Sequence, residues 1–334
     1  MNMRMSAVAA LALALGLILV NFTGKCHAAL QVGYYKDKCM LKDVEGIVFS
    51  AVKGRFDKDP TIAAALIRLH FHDCFVNGCD ASILLDGKSS EKTAPPNRSV
   101  RGYDVIDEAK GEVEKACKGV VSCADIIAMA ARDAVALSGE GRYSVETGRR
   151  DGFVSLASNV DLPSPSFSVS QSVDAFAKKG LDPTDMVLLL GGHTVGVAHC
   201  SHFQDRLYNF QNSGEPDPTM DLSLLQKLKS ICPQNSPADR SVDLDQNPLS
   251  SLTVDNSFYK QIILKRGILQ IDQELALDPL TNGTVASIAT SNDFPAKFGQ
   301  AMVKLGAVGV LTGSQGEIRK SCSVTNSFPN FLHF

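Results

Sequence analysis

The chain has 334 residues, of which 44% are hydrophobic and 21% are charged, and this composition is typical of a globular protein with a large core. Its formal net charge is −3 and it has no long basic run, which argues against nucleic acid as a binding partner. The length is sufficient for one large domain or for two closely packed halves.

The N-terminus has the layout of a secretory signal peptide. Arg4 precedes an uncharged apolar run over residues 7–20, and residues 21–25 then lead to a small-residue exit at residues 26–29. The run is shorter than the ~20 residues of a membrane-spanning helix, so we expect cleavage rather than a membrane anchor. The predicted organisation is a signal peptide at residues 1–28 followed by a single domain at residues 29–334.

Cleavage would leave an even number of cysteines. Nine cysteines become eight when Cys26 is removed, and an even count in a secreted chain indicates four disulfides. Spacing alone does not fix the pairing, although Cys74 and Cys79 are close enough in sequence to form a local bridge. A metal cluster is the competing interpretation, but the other cysteines are too scattered for a CxxC-type site.

The region after the signal peptide reads as mainly helical. Helical apolar spacing predicts helices at residues 61–76, 99–117, 122–137, 168–179, 182–190, 219–232, 255–266 and 293–304. Residues 156–167, 209–218 and 235–252 predict loops, and strand signals are few. We expect the helices before and after about residue 165 to form two lobes, with a cofactor site in the cleft between them.

The helix predicted at residues 61–76 carries residues suited to acid–base chemistry. Phe71 and His72 follow Arg68 by three and four residues, so the three side chains share one helical face. A histidine can move a proton while a permanent cation beside it stabilises negative charge on a substrate. The alternative is a helix with incidental polar residues. Two histidines, two acids and two cysteines between His70 and Asp80 weaken that alternative.

A second segment, residues 188–200, places His193 after two glycines and before Thr194. The glycines allow a flat, bulky group to approach the backbone. A lone histidine is more often structural, so a functional role requires a partner. Asp272 lies among apolar residues, and a buried carboxylate needs a donor such as an imidazole N–H. The sequence alone leaves this pairing as a hypothesis.

Several long motifs occur in order along the chain. They are RLHFHDCFVNGCDAS, SCADIIAMAARD, GRRDG, GGHTVG, DRLYNF, VDNSFY, IDQEL and GEIRKSC. On these motifs the chain resembles the class III plant secretory haem peroxidases over about residues 31–322. The resemblance implies a mainly α haem peroxidase fold, in which two helical lobes with few short strands enclose one haem b.

The resemblance also implies a reaction. A secreted peroxidase of this kind reduces hydrogen peroxide to water through a ferryl haem with a porphyrin radical, and it then oxidises phenolic donors in two one-electron steps. His193 would be the axial iron ligand, and Asp272 would accept its other N–H. His72 would be the distal base, and Arg68 would stabilise the charge that develops as the O–O bond breaks.

Three further residues complete the implied site. Asn97 would hydrogen-bond the distal histidine and keep it basic, Phe71 would shield the haem edge, and Pro163 would line the aromatic donor site. The identity of the donor stays open, because monolignols, wall tyrosines, auxin and small phenolics all fit.

Two calcium sites are implied as well, since hard oxygen ligands suit Ca²⁺. The distal site would use Asp73, Val76, Gly78, Asp80 and Ser82, with Glu91 acting through water. The proximal site would use Thr194, Asp245, Ser250, Thr253 and Asp255, with Asp243 as an alternative to Asp245.

The remaining implied features concern stability and modification. The disulfides would be Cys39–Cys117, Cys74–Cys79, Cys123–Cys322 and Cys200–Cys232. Asp125 and Arg150 would form an ion pair near the junction of the lobes, with a solvated surface pair as the alternative. Asn282, in a TNGT sequon that we expect to lie in a loop, is the predicted glycosylation site.

Two other classes of function are open to the sequence. One is a non-haem hydrolase that uses Cys74 and His72, which requires a free thiol or a coherent set of metal ligands. The other is a catalytically silent wall protein or binding module. The presence of all four residues of the implied site argues against it, and these are Arg68, His72, His193 and Asp272. The expected partners are hydrogen peroxide and phenolic small molecules. The expected form is a monomer secreted to the apoplast or cell wall, with the vacuole as an alternative.

Overall fold

The computed structural model describes residues 30–40, 42–139 and 141–326, so the predicted signal peptide lies outside the described residues. Within these ranges the fold is mainly helical, which confirms the predicted fold class. The helices are α1 Val44–Phe56, α2 Ile62–Val76, α3 Tyr103–Ala116, α4 Cys123–Ser138, α5 Val169–Ala177, α6 Pro183–Leu190, α7 Gln204–Tyr208, α8 Leu222–Ile231, α9 Ser257–Ile263, α10 Gln270–Leu277, α11 Asn282–Thr290 and α12 Phe294–Gly306. The strands are β1 Gln31–Val32, β2 Glu146–Thr147, β3 Val197–His199 and β4 Ser241–Asp243.

Helix starts agree best with the sequence-based prediction where a capping side chain is present. Ser122 accepts the Asp125 N–H, and α4 begins directly after this cap. Asp182 caps α6 in the same way, and Pro183 occupies the first helical position. The prediction of a helix from residue 99 is wrong, because Gly102 has a φ of 100° and α3 begins only after it.

Four helices, α1, α7, α10 and α11, lie where no helix is predicted. α1 buries Val44, Val48 and Val52 at helical spacing, and Asp43 caps its N-terminus, so its signal is present in the sequence. α7, α10 and α11 have only 5, 8 and 9 residues, and none has a side-chain cap at its N-terminus, so neither a long period nor a capping signal marks them. The expectation of a loop at Asn282 is wrong, because this residue begins α11, where its side chain is exposed.

The buried apolar residues form two clusters, and α2 lies between them. The first cluster is built mainly on α1, α3 and α4, and it includes Leu66 and Leu69 of α2. The second is built on α5 to α12, and it includes Ile67 and Phe75 of α2. Residues along α2 alternate between clusters because a helix turns by about 100° per residue. The polar residues of α2 are therefore held at the boundary between the two clusters.

Four disulfides and two strand pairs fasten this arrangement. The disulfides join Cys39 to Cys117, Cys74 to Cys79, Cys123 to Cys322 and Cys200 to Cys232, which are the pairs that the resemblance implies. Because Cys74 is bonded to Cys79, it offers no free thiol for a hydrolase. β1 pairs with β2 and β3 pairs with β4, and both pairs are antiparallel.

The ion pair of Asp125 differs from the predicted one. Its partner is Arg149, whose NH1 lies 2.8 Å from Asp125 Oδ1, and both side chains are buried. Arg150 instead donates to the carbonyls of Gln315 and Gly316. The backbone N–H groups of residues 148 and 149 also donate to the Asp125 carboxylate. The arginine that pairs with this carboxylate therefore lies one residue earlier in the chain than predicted. The ion pair is in the core and not at the surface.

Candidate active site

Helix α2 brings the first set of polar side chains together. Arg68 Nε donates to His72 Nε2 at 3.1 Å, as the four-residue spacing requires. Phe71 packs beside them, with its ring centroid 4.3 Å from that of Phe75. A guanidinium and an imidazole are therefore held in direct contact on one helical face.

Asn97 determines which nitrogen of His72 carries the proton. Asn97 Nδ2 donates to the Glu91 carbonyl at 2.9 Å, which leaves Asn97 Oδ1 to face His72 Nδ1 at 2.6 Å. Because Oδ1 can only accept, Nδ1 carries the hydrogen, and Nε2 keeps the lone pair that accepts the Arg68 N–H. Burial and the charge of Arg68 lower the pKa of His72 to about 3, although the Asn97 bond opposes this shift. His72 is therefore a neutral base at physiological pH.

The orientation of Arg68 depends on the segment that carries Asn97. Arg68 NH2 donates to the Pro96 carbonyl at 2.9 Å, and NH1 donates to Ser99 Oγ at 3.2 Å. Sequence analysis missed Pro96 and Ser99 in this role. Their position in sequence beside Asn97 was the available signal. A segment that contacts His72 through Asn97 is also close to Arg68, which lies one helical turn away on α2.

A second histidine is paired with a buried carboxylate. His193 lies in a 3₁₀ turn at Gly191–Thr194 that follows α6. Its Nδ1 is 2.8 Å from Asp272 Oδ1 on α10, and Asp272 is fully buried. Burial alone would lower the pKa of His193, but the charge and hydrogen bond of Asp272 outweigh it and raise the pKa. Because Asp272 holds Nδ1, the Nε2 atom of His193 is left to bind a metal.

The turn that carries His193 lies against α2. A Cβ placed on Gly196, which has a φ of 93°, would lie 2.9 Å from the Ala64 side chain. A Cβ placed on Gly192 would lie 3.6 Å from the Ile67 side chain. The glycines permit this close approach to the turn of α2 that precedes Arg68. An imidazole ligand on one segment and a base with a cation on the other are a donor set that fits haem between them.

Buried oxygen atoms cluster just after α2. Asp73 Oδ1, Ser82 Oγ and Glu91 Oε2 are buried and have no hydrogen-bond partner within the residues that the structure describes. Burial, followed by the charges of Asp80 and Glu91, raises the pKa of Asp73 well above its ordinary value. Burial also raises the pKa of Asp80, and it raises that of Glu91 to about 7. A cation bound by these oxygens would relieve both the repulsion and the missing hydrogen bonds.

The chemistry of this cluster fits a hard cation. Across residues 30–40, 42–139 and 141–326, no three His, Cys, Asp or Glu side chains are arranged to bind a metal by themselves. Hydroxyl and carbonyl oxygens must therefore complete the set, and Ca²⁺ accepts such ligands. Gly78 has a φ of 107°, and its carbonyl accepts the Asp80 N–H at 2.8 Å. The carbonyl of Val76 accepts from Lys179 Nζ at 3.2 Å, so one of its lone pairs is already engaged.

A second cluster of oxygen atoms forms beside His193. Thr194 Oγ1 lies 3.2 Å from Asp255 Oδ1 and 3.3 Å from the Thr253 carbonyl. Asp245 is buried and accepts from Ser250 Oγ at 3.2 Å. The structure thus brings together all five residues that the resemblance implies for a proximal cation.

The alternative ligand in this cluster has a different environment. Asp243 is exposed in β4, whereas burial, opposed by hydrogen bonds, raises the pKa of Asp245. Asp245 and not Asp243 therefore belongs to the cluster. Ser257 Oγ also donates to Asp245 Oδ1 at 3.3 Å. Sequence analysis missed Ser257, because it lies in the first turn of α9 and no spacing rule connects it to Asp245.

Pro163 lies half-buried in the loop before α5. The Pro165 carbonyl in this loop accepts the Ile271 N–H at 3.1 Å. The loop is therefore attached to α10 one residue before Asp272, which fixes its position relative to the partner of His193.

Comparison with known proteins agrees with this geometry. The sequence profile of the Peroxidase family matches residues 48–291. Peroxidase 60 of Arabidopsis thaliana is 54% identical over 320 residues, which cover 95% of this chain and 96% of that protein. Peroxidase 57 of the same species is 52% identical over 296 residues, covering 88% and 92%. Peroxidase N1 of Nicotiana tabacum is 43% identical over 315 residues, covering 92% and 94%.

A helical fold with a neutral histidine beside an arginine, and a second histidine bound to a buried aspartate, has the site of a peroxidase. The chain belongs to the peroxidase family, and within it to the class III plant peroxidases. It is therefore an enzyme that uses hydrogen peroxide to oxidise donor molecules, and the family implies a haem cofactor. None of the helices in the described ranges is sufficiently long and apolar to span a membrane.

Proposed function

We propose that this peroxidase binds one haem b between α2 and the turn at Gly191–Thr194, with His193 as the iron ligand and His72 and Arg68 acting on hydrogen peroxide. The observation that carries the proposal is the contrast in hydrogen-bond partners between the two histidines. His72 Nε2 is unprotonated and accepts from the Arg68 guanidinium, whereas the Asp272 carboxylate engages Nδ1 of His193.

The distal residues handle protons and charge. His72 Nε2 takes a proton from hydrogen peroxide in place of the Arg68 N–H, and it returns this proton to the oxygen that leaves as water. The Arg68 guanidinium stabilises negative charge on the departing oxygen. Asn97 holds the Nδ1 hydrogen of His72, which keeps Nε2 as the basic atom throughout. Phe71, packed on Phe75, limits access of larger molecules to this pair.

The proximal residues hold the cofactor in place. Bound haem supplies the redox chemistry, which is the two-electron reduction of peroxide and the one-electron oxidation of each donor. His193 Nε2 would hold the haem iron, and Asp272 orients the ring and increases its basicity through Nδ1. The loop of Pro163 lines the approach of aromatic donors, which supports phenols as the substrate class.

Two calcium ions support the two halves of the site. The distal ion is bound by the cluster after α2, and the unpartnered oxygens of Asp73 and Ser82 support this assignment. The proximal ion is bound by the cluster around Thr194 and Asp245. Glu91 connects the distal ion to catalysis, because its carbonyl accepts from Asn97 and its carboxylate accepts from Asn77.

The protein acts as a monomer that is secreted to the apoplast or cell wall, with the vacuole as the alternative location. The N-terminal sequence and the disulfides support secretion. Asn282, exposed at the start of α11, is the glycosylation site. Its exposure is what an attached glycan requires.

An absorption spectrum tests the central proposal. The purified mature protein should bind haem and give a Soret band, and that band should shift when hydrogen peroxide is added in equal amount. A folded protein that takes up no haem, or whose Soret band is unchanged by peroxide, would refute the proposal.

A further inference from the structure

Tyr35 has a hydrogen-bond partner that no other tyrosine shares among the described contacts. Its Oη donates to Asp125 Oδ2 at 2.6 Å, and both side chains are buried. The hydroxyls of Tyr208 and Tyr259 donate to backbone carbonyls, and that of Tyr103 is buried without a described partner. A carboxylate differs from a carbonyl because it can accept the phenol proton completely when the ring loses an electron.

Tyr34 connects this buried phenol to the protein surface. The ring centroids of Tyr34 and Tyr35 are 5.1 Å apart in an edge-to-face arrangement. Tyr34 is half-buried, and Lys38 Nζ lies 3.1 Å from its ring centroid. A cation over a ring disfavours positive charge on that ring, so an electron vacancy in this pair is more stable on Tyr35. Tyr34 is therefore the outer contact, and Tyr35 is the inner group that can hold a radical.

A continuous set of buried groups joins Asp125 to α2. Asp125 Oδ1 accepts from Arg149 NH1 at 2.8 Å, and Arg149 Nε donates to the Gly306 carbonyl at 2.8 Å. A Cβ placed on Gly306 would lie 2.8 Å from Arg149 NH2 and 3.5 Å from His70 Nε2. Arg149 and His70 therefore meet at this glycine. His70 lies on α2 two residues before His72, so this set of contacts ends on the helix that carries the peroxide site.

We propose that Tyr34 and Tyr35 form a second oxidation site, at which phenols attached to polymers or proteins are oxidised without entering the haem cleft. The inference rests on the proposed function, because peroxide-oxidised haem is the electron acceptor. Tyr35 gives one electron to the oxidised haem and its hydroxyl proton to Asp125. A donor phenol at Tyr34 then returns one electron, Asp125 returns the proton, and the donor's own proton passes to water. Two such turns use the two oxidising equivalents of one hydrogen peroxide.

The position of Tyr34 favours large donors. Its described neighbours are Tyr35, Lys38 and Gly148, and none of these belongs to the haem or donor site. A phenol on a chain too large for the haem cleft can still reach a half-buried ring beside β1. The substrate class is therefore a macromolecular phenol, whereas a small phenol has access to the haem edge directly.

A purely structural role for Tyr35 is the rival explanation. The Asp125 carboxylate also accepts N–H groups from Gly148 and Arg149. On the rival explanation, the Tyr35 hydroxyl simply completes the hydrogen bonds of this carboxylate and takes no part in oxidation. Both roles predict lower stability for Tyr35→Phe. Only the redox role predicts a radical on this pair and a loss of activity that depends on the size of the donor.

Donor size therefore decides between the two roles. The holoenzyme and its Tyr35→Phe variant are assayed with guaiacol and with tyramine-substituted dextran. Loss of the inner phenol should slow oxidation of the dextran by about tenfold or more, while guaiacol oxidation stays within about twofold. Tyr208→Phe is the matched control, since it removes a hydroxyl that donates to a carbonyl, and it should change neither rate. Equal loss for both donors, or no loss for either, would overturn the proposal.

Radical mapping on the unaltered holoenzyme covers the case in which Tyr35→Phe does not fold. Peroxide is added without donor in the presence of a nitroso spin trap, and the peptides are analysed by mass spectrometry. The adduct should appear on Tyr34 or Tyr35, and a trapped radical confined to other residues would overturn the proposal. The Soret band is recorded in the same sample. No shift with peroxide means that the proposed function has failed, whereas a normal shift without the adduct refutes this inference alone.

Discussion

His72 and His193 are the same residue type in two opposite environments. His72 is buried beside Arg68 and donates to a neutral amide, and its pKa falls to about 3. His193 donates to the Asp272 carboxylate, and the pKa of His193 rises although burial opposes the shift. The residue that accepts the Nδ1 hydrogen of each histidine, and not burial alone, decides whether the histidine serves as a base or as an electron-rich ligand.

The largest expected effect comes from removing the histidine on the Asp272 side. His193→Ala should abolish stable haem binding, because the structure offers Nε2 of this residue as the iron ligand. The measurement is the Soret absorbance of the purified variant after incubation with haem. His199→Ala is the matched control, since His199 is half-buried and contacts only the Asp239 carbonyl among its described hydrogen bonds. A His193→Ala protein with a normal Soret band would contradict the assignment.

Removing the other histidine should leave the cofactor in place. His72→Ala is expected to bind haem normally and to react with hydrogen peroxide roughly 10²–10⁴-fold more slowly, because proton transfer at Nε2 is lost. Stopped-flow measurement of the peroxide-induced Soret shift gives this rate directly. The two histidine variants would thus separate cofactor binding from peroxide cleavage. An unchanged rate in His72→Ala would refute its role as the base.

The two regions also differ in how well the sequence predicted them. Arg68 and His72 lie on one helix, so a four-residue spacing was enough to predict their contact. His193 and Asp272 are 79 residues apart, and only the apolar surroundings of Asp272 suggested a missing donor. The family resemblance supplied their pairing, because no local period connects a turn after α6 with α10.

Other predictions failed where long-range packing decides the geometry. Arg149 and Arg150 are adjacent arginines, and the backbone hydrogen bonds of residues 148 and 149 to Asp125 select the first of them. Ser99 and Ser257 were missed because each acts through a partner that lies distant in sequence or across a loop. Helix class and capping are local and were predictable, whereas the partners of buried polar groups depend on the assembled core.

Calcium removal should lower the thermal stability of the region around His72, because the oxygen cluster that follows α2 would lose its cation. A ligand that binds only the folded state at 100 times its Kd stabilises that state by about 2.7 kcal/mol, so a chelator should lower the thermal midpoint by several degrees. The chelator effect should shrink in Asp80→Asn, which removes one carboxylate from the distal cluster. Asp86→Asn, an exposed residue paired with Lys92, is the matched control. Equal midpoints with and without chelator would argue against structural calcium.

Exchanging an amide for a carboxylate beside each histidine tests the comparison of His72 and His193 with almost no change in side-chain volume. Asn97→Asp gives His72 a carboxylate partner such as His193 has, and this should raise the pKa of His72. In the unaltered enzyme His72 is neutral above about pH 3, so the peroxide reaction loses rate only as the pH falls through that value. In the variant the loss should begin at a higher pH, while the rate at alkaline pH changes by less than about tenfold.

The reciprocal change is Asp272→Asn, which gives His193 a neutral partner. It should leave the acid limb of the peroxide reaction unchanged, because His72 keeps its own surroundings. The pH dependence of the stopped-flow rate, followed from about one unit below the pKa of His72 up to about pH 9, measures both variants on one scale. If the acid limb moved equally in the two variants, the histidines would not be tuned separately, and the difference in their partners would not explain their roles.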